Sequence, residues 1–279
     1  MKKTKDRIEI MKQNSVRRII TLLTDFGTRD YYVSSMKGVI LSIAPNAIII
    51  DITHEVEPFN VLQAAFLLYQ AVRWFPTWTI HVAVVDPGVG SERKPLAIKT
   101  RKCVLIGPDN GVLMPAANYF GIIEVREIRR KFFECTSHTF HGRDVFAPAA
   151  ANLVAGMKLE ELGPVIRSPK KLDFGDVKWI DNGIEARVLH VDRFGNLITN
   201  IPTNLYHEIT SKEKITIIAK GKTSLLKPAS SYFEGKPKEF LILPGSEDFI
   251  EISLNKGSAA KFLNIKPGDT FILKFGSSF

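Results

Sequence analysis

From Arg18 to about Arg167, short runs of apolar, β-branched residues alternate with longer stretches whose apolar residues recur every three or four positions. That alternation is the pattern of βαβ units, in which a strand, a covering helix and the next strand follow one another along the chain. "IITLLTDF" is the first strand, and "YYVSSMKGVILSIAP" is a helix closed by Pro45. "AIIIDIT" reads as a strand, "FNVLQAAFLLYQAVRWFP" as a helix ended by Pro76, and "TIHVAVVD" as a third strand. "PLAIKT", "CVLIG" and "IIEVREI" supply further strands at the other side of the sheet. After "LGPVIRSPKKLDFGDVKW" the period changes. "GIEARVLHVD", "KITIIAKG", "EFLILPG", "FIEISL" and "TFILKF" are short strands between turns, with one helical turn near Ala259–Leu263. The expected fold is an α/β N-terminal domain with a largely parallel central sheet flanked by helices, plus a smaller C-terminal all-β domain read as a barrel. Its parts are a basic leader over 1–17, the α/β domain over 18–172 and the barrel over 173–279, divided where Pro, Lys and Gly cluster.

A chain of 279 residues, 45% of them hydrophobic, can bury a sizeable core in two such domains. The net charge of +9 is concentrated: the first 18 residues hold seven Lys/Arg against two acids and carry +5 of it. That leader lacks a continuous apolar segment and a small-residue cleavage site, so it reads as a solvated tail rather than a secretory signal, with a basic interaction arm as the alternative. The remainder is nearly balanced, which argues against a nucleic-acid partner. The longest apolar runs, such as "AIII" and "VAVV", are too short to cross a bilayer, so no membrane partner is expected. Cys103 and Cys135 stand in no metal-like spacing and read as reduced thiols of a cytoplasmic protein.

Ligands of open α/β sheets bind outside the carboxyl ends of the parallel strands. Three strands here end in polar groups that should share one rim: Asp25, Asp51 with His54, and Asp86. Each acid alone equally fits a turn or a helix cap. "TFHGRDVFAPAAANL" places His141, Arg143 and Asp144 ahead of an Ala-rich helix, where an N-cap is again the plain alternative. Arginine, aspartate and histidine together can hold and polarise a water without a metal. Carboxylates and two histidines near one rim also suit a divalent cation, but no close ligand pair such as H-x-x-x-H occurs, and no metal site is expected. His81, alternating within a strand, reads as a packed or surface histidine. In the second half, "VDRFGNLITNI" sets Gly195 in a turn beside Asn196, whose amide offers a donor and an acceptor to an adenine edge or an amino-acid head group; an ordinary β-turn also fits. Neither G-x-G-x-x-G nor a Walker motif is present.

"TDFGTRDYY", "DPGVGSER", "TFHGRDVFAP" and "DRFGNLITNI", in this order and with "SEDFIEISLNKGSAA" near the end, resemble the S-adenosyl-L-methionine hydroxide adenosyltransferase family, hydrolytic relatives of fluorinase and chlorinase. The resemblance spans about residues 18–279. It implies an α/β domain and a β-barrel in each subunit of a homotrimer, with S-adenosylmethionine between the N domain of one subunit and the C domain of its neighbour. It also implies water as nucleophile, adenosine and L-methionine as products, and no cofactor. By the same resemblance Asp25 chelates the two ribose hydroxyls, Phe59 lies beside the ribose, and Phe140 belongs to the substrate pocket. Asp30, Asp192 and Ser246 fall at the methionine end, while Phe194, Asn196, Tyr232 and the backbone near Ala259 fall on the adenine. Asp86, Arg93 and His141 match the trio associated with the water. The halogenating relatives carry a tyrosine and a threonine where this chain has Asp86 and Val89, and a serine donor where it has Gly142. A carboxylate there repels halide. Glu247 stands where those relatives have an arginine near the methionine carboxylate. Two other functions fit the residues: a metal-dependent nucleotide or phosphate-ester hydrolase, and a non-catalytic nucleoside-binding protein.

Overall fold

A computed structural model describes residues 19–134, 137–246 and 248–276; the leader, Cys135 and Glu247 lie outside the described residues. The chain divides between Asp173 and Phe174 into two compact units.

The first unit opens with β1 (Ile19–Thr24), whose side chains are almost all buried, as befits a central strand covered on both faces. α1 (Tyr32–Ile43) buries Val33, Met36 and Ile40, the spacing of one helical face. β2 (Ile48–Thr53) follows, then α2 (Val61–Val72), which starts where the Asn60 side chain accepts the Gln63 N–H at 3.0 Å. β3 (Ile80–Val84) is fully buried. β4 (Pro95–Thr100), β5 (Val104–Pro108), α3 (Met114–Phe120), β6 (Ile122–Glu127) and α4 (Ala147–Val154) complete the unit. α1 and α4 pack together over the sheet, joining Met36, Ile40, Ala147 and Ala150 to Ile20, Leu22 and Val82 in one core.

The strands run in the order β2-β1-β3-β5-β4-β6. β1 is parallel to β2 and β3, and β3 to β5, but β4 is antiparallel to both β5 and β6. The sheet is therefore mixed, and the expectation of a largely parallel sheet holds for β2, β1, β3 and β5 but not for the pairings of β4. The reason is the link between β4 and β5: Arg101, Lys102 and Cys103 make only a tight reversal, closed by Thr100 N–H to Cys103 O at 2.9 Å, whereas a parallel return needs a crossover of about a dozen residues or more. Because β2, β1, β3 and β5 remain mutually parallel, their carboxyl ends still share one edge. His81 is buried in β3, 2.7 Å from the Thr21 hydroxyl, and burial pushes its pKa down to about 3, as a packed histidine. Cys103 is a buried free thiol.

The second unit contains β7 (Lys178–Ile180), β8 (Gly183–Val191), β9 (Leu197–Pro202), α5 (Tyr206–Thr210), β10 (Lys214–Ala219), β11 (Lys222–Pro228), β12 (Phe240–Pro244), β13 (Phe249–Leu254), α6 (Ala259–Leu263) and β14 (Thr270–Gly276). Seven strands run in the order β14-β10-β11-β12-β13-β9-β8, and pairing of β14 with β8 closes them into a barrel. β7 adds to the outside of β8. Inward residues such as Ile184, Val188, Ile217, Ile252 and Leu273 fill the interior in the period of two that a barrel requires. The helical turn expected near Ala259 is α6. Among the described residues no helix is long and apolar enough to cross a membrane.

Candidate active site

Thr24 at the end of β1 stands opposite Val84 at the end of β3, so Asp25 and Asp86 leave the sheet side by side at its carboxyl edge. A cleft of about 390 Å3 opens there, with Asp25, Asp86, Phe59, Phe140 and His141 in its wall. That volume lies in the roughly 300–1,000 Å3 range of small-molecule sites. Phe26 and Tyr32 complete an aromatic side that the sequence reading did not single out: Phe140 meets Phe26 and Tyr32 edge-on at 6.0 and 5.2 Å between ring centres. The paired tyrosines in "RDYY" were the available signal. Asp30 is exposed and does not line the cleft.

The loop after β3 explains how Arg93 meets Asp86. Val89 N–H bonds to Asp86 O and Ser91 N–H to Gly88 O, two successive turns that fold the chain back on itself. Gly90 is required in this reversal, since its φ is +79° and a Cβ would sit 2.7 Å from His138 O. Arg93 then forks onto Asp86, Nε to Oδ1 at 3.0 Å and Nη2 to Oδ2 in a short contact. Arg93 Nη2 also reaches His141 Nδ1 at 2.7 Å. Both members of the ion pair are shut from solvent, at 9% and 5% side-chain exposure. The three residues that the family resemblance groups together are thus linked at hydrogen-bonding distance through Arg93.

His141 begins a π-helical turn, Gly142–Phe146, that leads into α4; such turns recur at functional sites. The plain alternative of an N-cap does not describe it. Asp144 is buried, accepts Ser137 N–H at 2.8 Å and is gripped by both Nε and Nη2 of Arg143, whose guanidinium lies 5.0 Å above the Phe140 ring. Burial, and then the Arg93 charge, push the His141 pKa down. A guanidinium can only donate, so Nδ1 accepts, and the neutral imidazole carries its hydrogen on Nε2.

Asp25 is half-buried, and its Oδ2 accepts the N–H of Phe59 at 2.8 Å. Phe59 holds a left-handed backbone, φ +67°, and leaves its ring 70% exposed beside the carboxylate. Burial pushes the Asp25 pKa up, backbone N–H bonds partly offset this, and the nearby Asp86 adds to the rise.

The second unit gathers its own polar groups. Asp192 Oδ1 accepts the N–H of Phe194 and of Asn196, both at 2.9 Å, and Oδ2 accepts Asn196 Nδ2 at 2.8 Å. Asp192 is thus the hub of the turn that carries Asn196, whose amide commits one hydrogen to it. Gly195 has φ +88°, and its O accepts Ala260 N–H at 3.0 Å, which brings Ala259 against this turn. The Tyr232 hydroxyl donates to Glu251 in a short contact; burial and then this carboxylate push Tyr232 above the ordinary tyrosine range. Burial, and the charge of Asp192, in turn push Glu251 up. Glu251 was not foreseen, although a lone acid inside "FIEISL" was its signal. Phe194 and Ser246 are exposed, Ser246 in the hairpin turn between β12 and β13. Among the described residues, no group of three or more His, Cys, Asp or Glu is placed to hold a metal ion.

Family models for the SAM hydroxide adenosyltransferase N-terminal and C-terminal domains match residues 20–163 and 186–272. This chain belongs to that family. A relative from Methanocaldococcus jannaschii, named (R)-S-adenosyl-L-methionine hydrolase, is 41% identical over 92% of this chain and 95% of its own length. A solved structure of an uncharacterized conserved protein from Thermotoga maritima superposes with a TM-score of 0.84 at 39% identity, covering 91% of this chain and 99% of that one. A fluorinase from an Actinoplanes species is 26% identical over 90% of this chain and 96% of its own. The three positions at which the family's hydrolytic and halogenating branches were expected to differ, Asp86, Val89 and Gly142, all line the one cleft.

Proposed function

We propose that the chain hydrolyses S-adenosyl-L-methionine. Water held at Asp86, Arg93 and His141 attacks C5′ of the ribose, the C5′–S bond breaks, and adenosine, L-methionine and one proton are released. The observation that carries this reading is that Asp86 and His141, both bonded to Arg93, line one cleft with Asp25. The hydrolase relative named above supports it.

The leaving group is a neutral thioether departing from a sulfonium, so it needs no proton. The barrier lies in aligning water behind C5′, for which positioning can supply roughly 7–11 kcal/mol. His141 cannot take the water's proton without losing its bond to Arg93, so its Nε2–H donates to the water oxygen. The Asp86 carboxylate, held by the Arg93 fork but with lone pairs to spare, accepts the proton as the O–C5′ bond forms. Asp25 accepts the ribose hydroxyls beside Phe59. Val89 and Gly142 present no hydroxyl to a halide, and Asp86 presents a carboxylate, which turns the cleft toward water.

No metal or cofactor takes part in this scheme. On the family resemblance we assign Phe194, Asn196, Tyr232 and Ala259 to the adenine, with the Asn196 carbonyl oxygen accepting from its amino group. Asp30, Asp192 and Ser246 fall to the methionine end, and a homotrimer brings the barrel of one subunit to the cleft of the next. Cytoplasmic residence accords with the free Cys103 thiol. Incubation of purified protein with S-adenosylmethionine, with and without EDTA, tests the scheme by chromatography: adenosine and methionine in equal amounts, unaffected by EDTA, are expected. Methylthioadenosine or S-adenosylhomocysteine as main product would overturn it, loss of activity in EDTA would favour metal-dependent hydrolysis, and tight binding without turnover would favour a nucleoside-binding protein.

A further inference from the structure

Beside the cleft, Asp51, His54 and Thr24 form a chain of contacts that the proposed reaction does not use. His54 is 4% exposed, with Nδ1 2.8 Å from the Thr24 hydroxyl and Nε2 3.0 Å from Asp51 Oδ1, a close approach that does not have hydrogen-bond geometry. Lys37 of α1 holds the other oxygen of Asp51 at 2.6 Å. The groups follow one another as hydroxyl, imidazole and carboxylate, but with the two ring nitrogens interchanged relative to a hydrolytic triad. Thr24, however, is fully buried and its Oγ1 accepts Phe26 N–H at 3.2 Å, so no substrate reaches it.

The residues this chain grips are those on either side of Asp25. Thr24 is held through its hydroxyl, and Gly27 donates its N–H to His54 O at 2.8 Å. Five residues beyond His54 in the same segment, Phe59 donates its N–H to Asp25 Oδ2. His54 therefore clamps the four-residue loop 24–27 against the segment that bonds the Asp25 carboxylate. We propose that His54 is a positioning residue that aims Asp25 at the ribose hydroxyls, with Asp51 and Lys37 fixing its ring. This rests on the assignment of Asp25 to the ribose.

The test compares Michaelis constants for S-adenosylmethionine and its 2′-deoxyribose counterpart. Asp25→Asn serves as reference and is expected to lose the preference for the ribose substrate. His54→Leu should raise KM for the ribose substrate by between about 10- and 100-fold, the cost of displacing a binding group by up to 1 Å, with kcat little changed. KM for the deoxy compound should move much less. His54→Asn, which keeps an acceptor near the Nδ1 position, should restore most of the loss, and His54→Leu added to Asp25→Asn should cost nothing further. If His54→Leu fails to fold, Asp51→Asn, at a half-exposed position, should show the same selective rise on a smaller scale. A full ribose preference in the His54 and Asp51 variants, or equal losses on both substrates, would overturn the proposal while leaving Asp25 in place. Retention of ribose preference by Asp25→Asn would overturn the ribose assignment itself, and this proposal with it.

Discussion

Burial and a second carboxylate both oppose a charge on Asp25, the residue assigned above to the ribose diol. Its pKa is raised in the folded chain, so folding favours its neutral form. Its contribution to stability is therefore greatest below the pKa of the unfolded chain and is lost as pH rises through the higher folded value. Asp25→Asn should accordingly raise the melting temperature at neutral pH, with no gain below the ordinary carboxylate range. The same rise sets function: kcat/KM should fall on acidification through a pKa above the usual aspartate value, and this limb should vanish in Asp25→Asn. Catalysis and binding separate at this scale. Asp86→Asn and His141→Ala should lower kcat by about 10²- to 10⁴-fold with substrate Kd nearly unchanged. Asp25→Asn should weaken binding by about 1.5–3 kcal/mol for each charge-assisted bond lost, read by calorimetry. The acids at the strand ends were readable from "TDFG" and "VVDPG" because a strand exposes its terminal residue at the sheet edge. Glu251 and His54 were not readable as partners, since their roles come from residues 19 and 30 positions away.

Elements were readable where one face repeats and unreadable where direction depends on a link. The periodic burial of α1 and α2 and the apolar strands β1 and β3 gave their positions away. The reversal of β4 against β5 hinged on a three-residue connection, and β11, "KTSLLKP", hid behind polar residues because a barrel strand needs few inward side chains. Short elements also carry the sharpest backbone demands. Gly195 and Gly221 both have positive φ, +88° and +76°, but a Cβ at Gly195 would meet Ser258 Oγ at 2.0 Å and Ser258 Cα at 2.9 Å, whereas nothing lies within 4 Å at Gly221. Gly221→Ala should cost about 1–2 kcal/mol, the left-handed penalty alone. Gly195→Ala should cost clearly more and also disturb the turn that presents Asn196. Denaturant melts of the two variants compare them directly; equal losses would show that the approach of Ser258 is easily relaxed.

At the scale of the whole molecule, the family models cover both units, so the α/β cleft and the barrel belong to one inherited design. The proposed homotrimer predicts a light-scattering mass near three times 31.3 kDa, with activity lost on dissociation to monomers. An active monomer would contradict it. The claim that unites residue, element and assembly is that water becomes the 5′-hydroxyl of adenosine. Incubation with S-adenosylmethionine in water enriched in heavy oxygen, followed by mass spectrometry of both products, measures this directly. The expected result is adenosine labelled at its 5′-oxygen and methionine without solvent oxygen, in equal amounts. Unlabelled adenosine, or methylthioadenosine in its place, would contradict it.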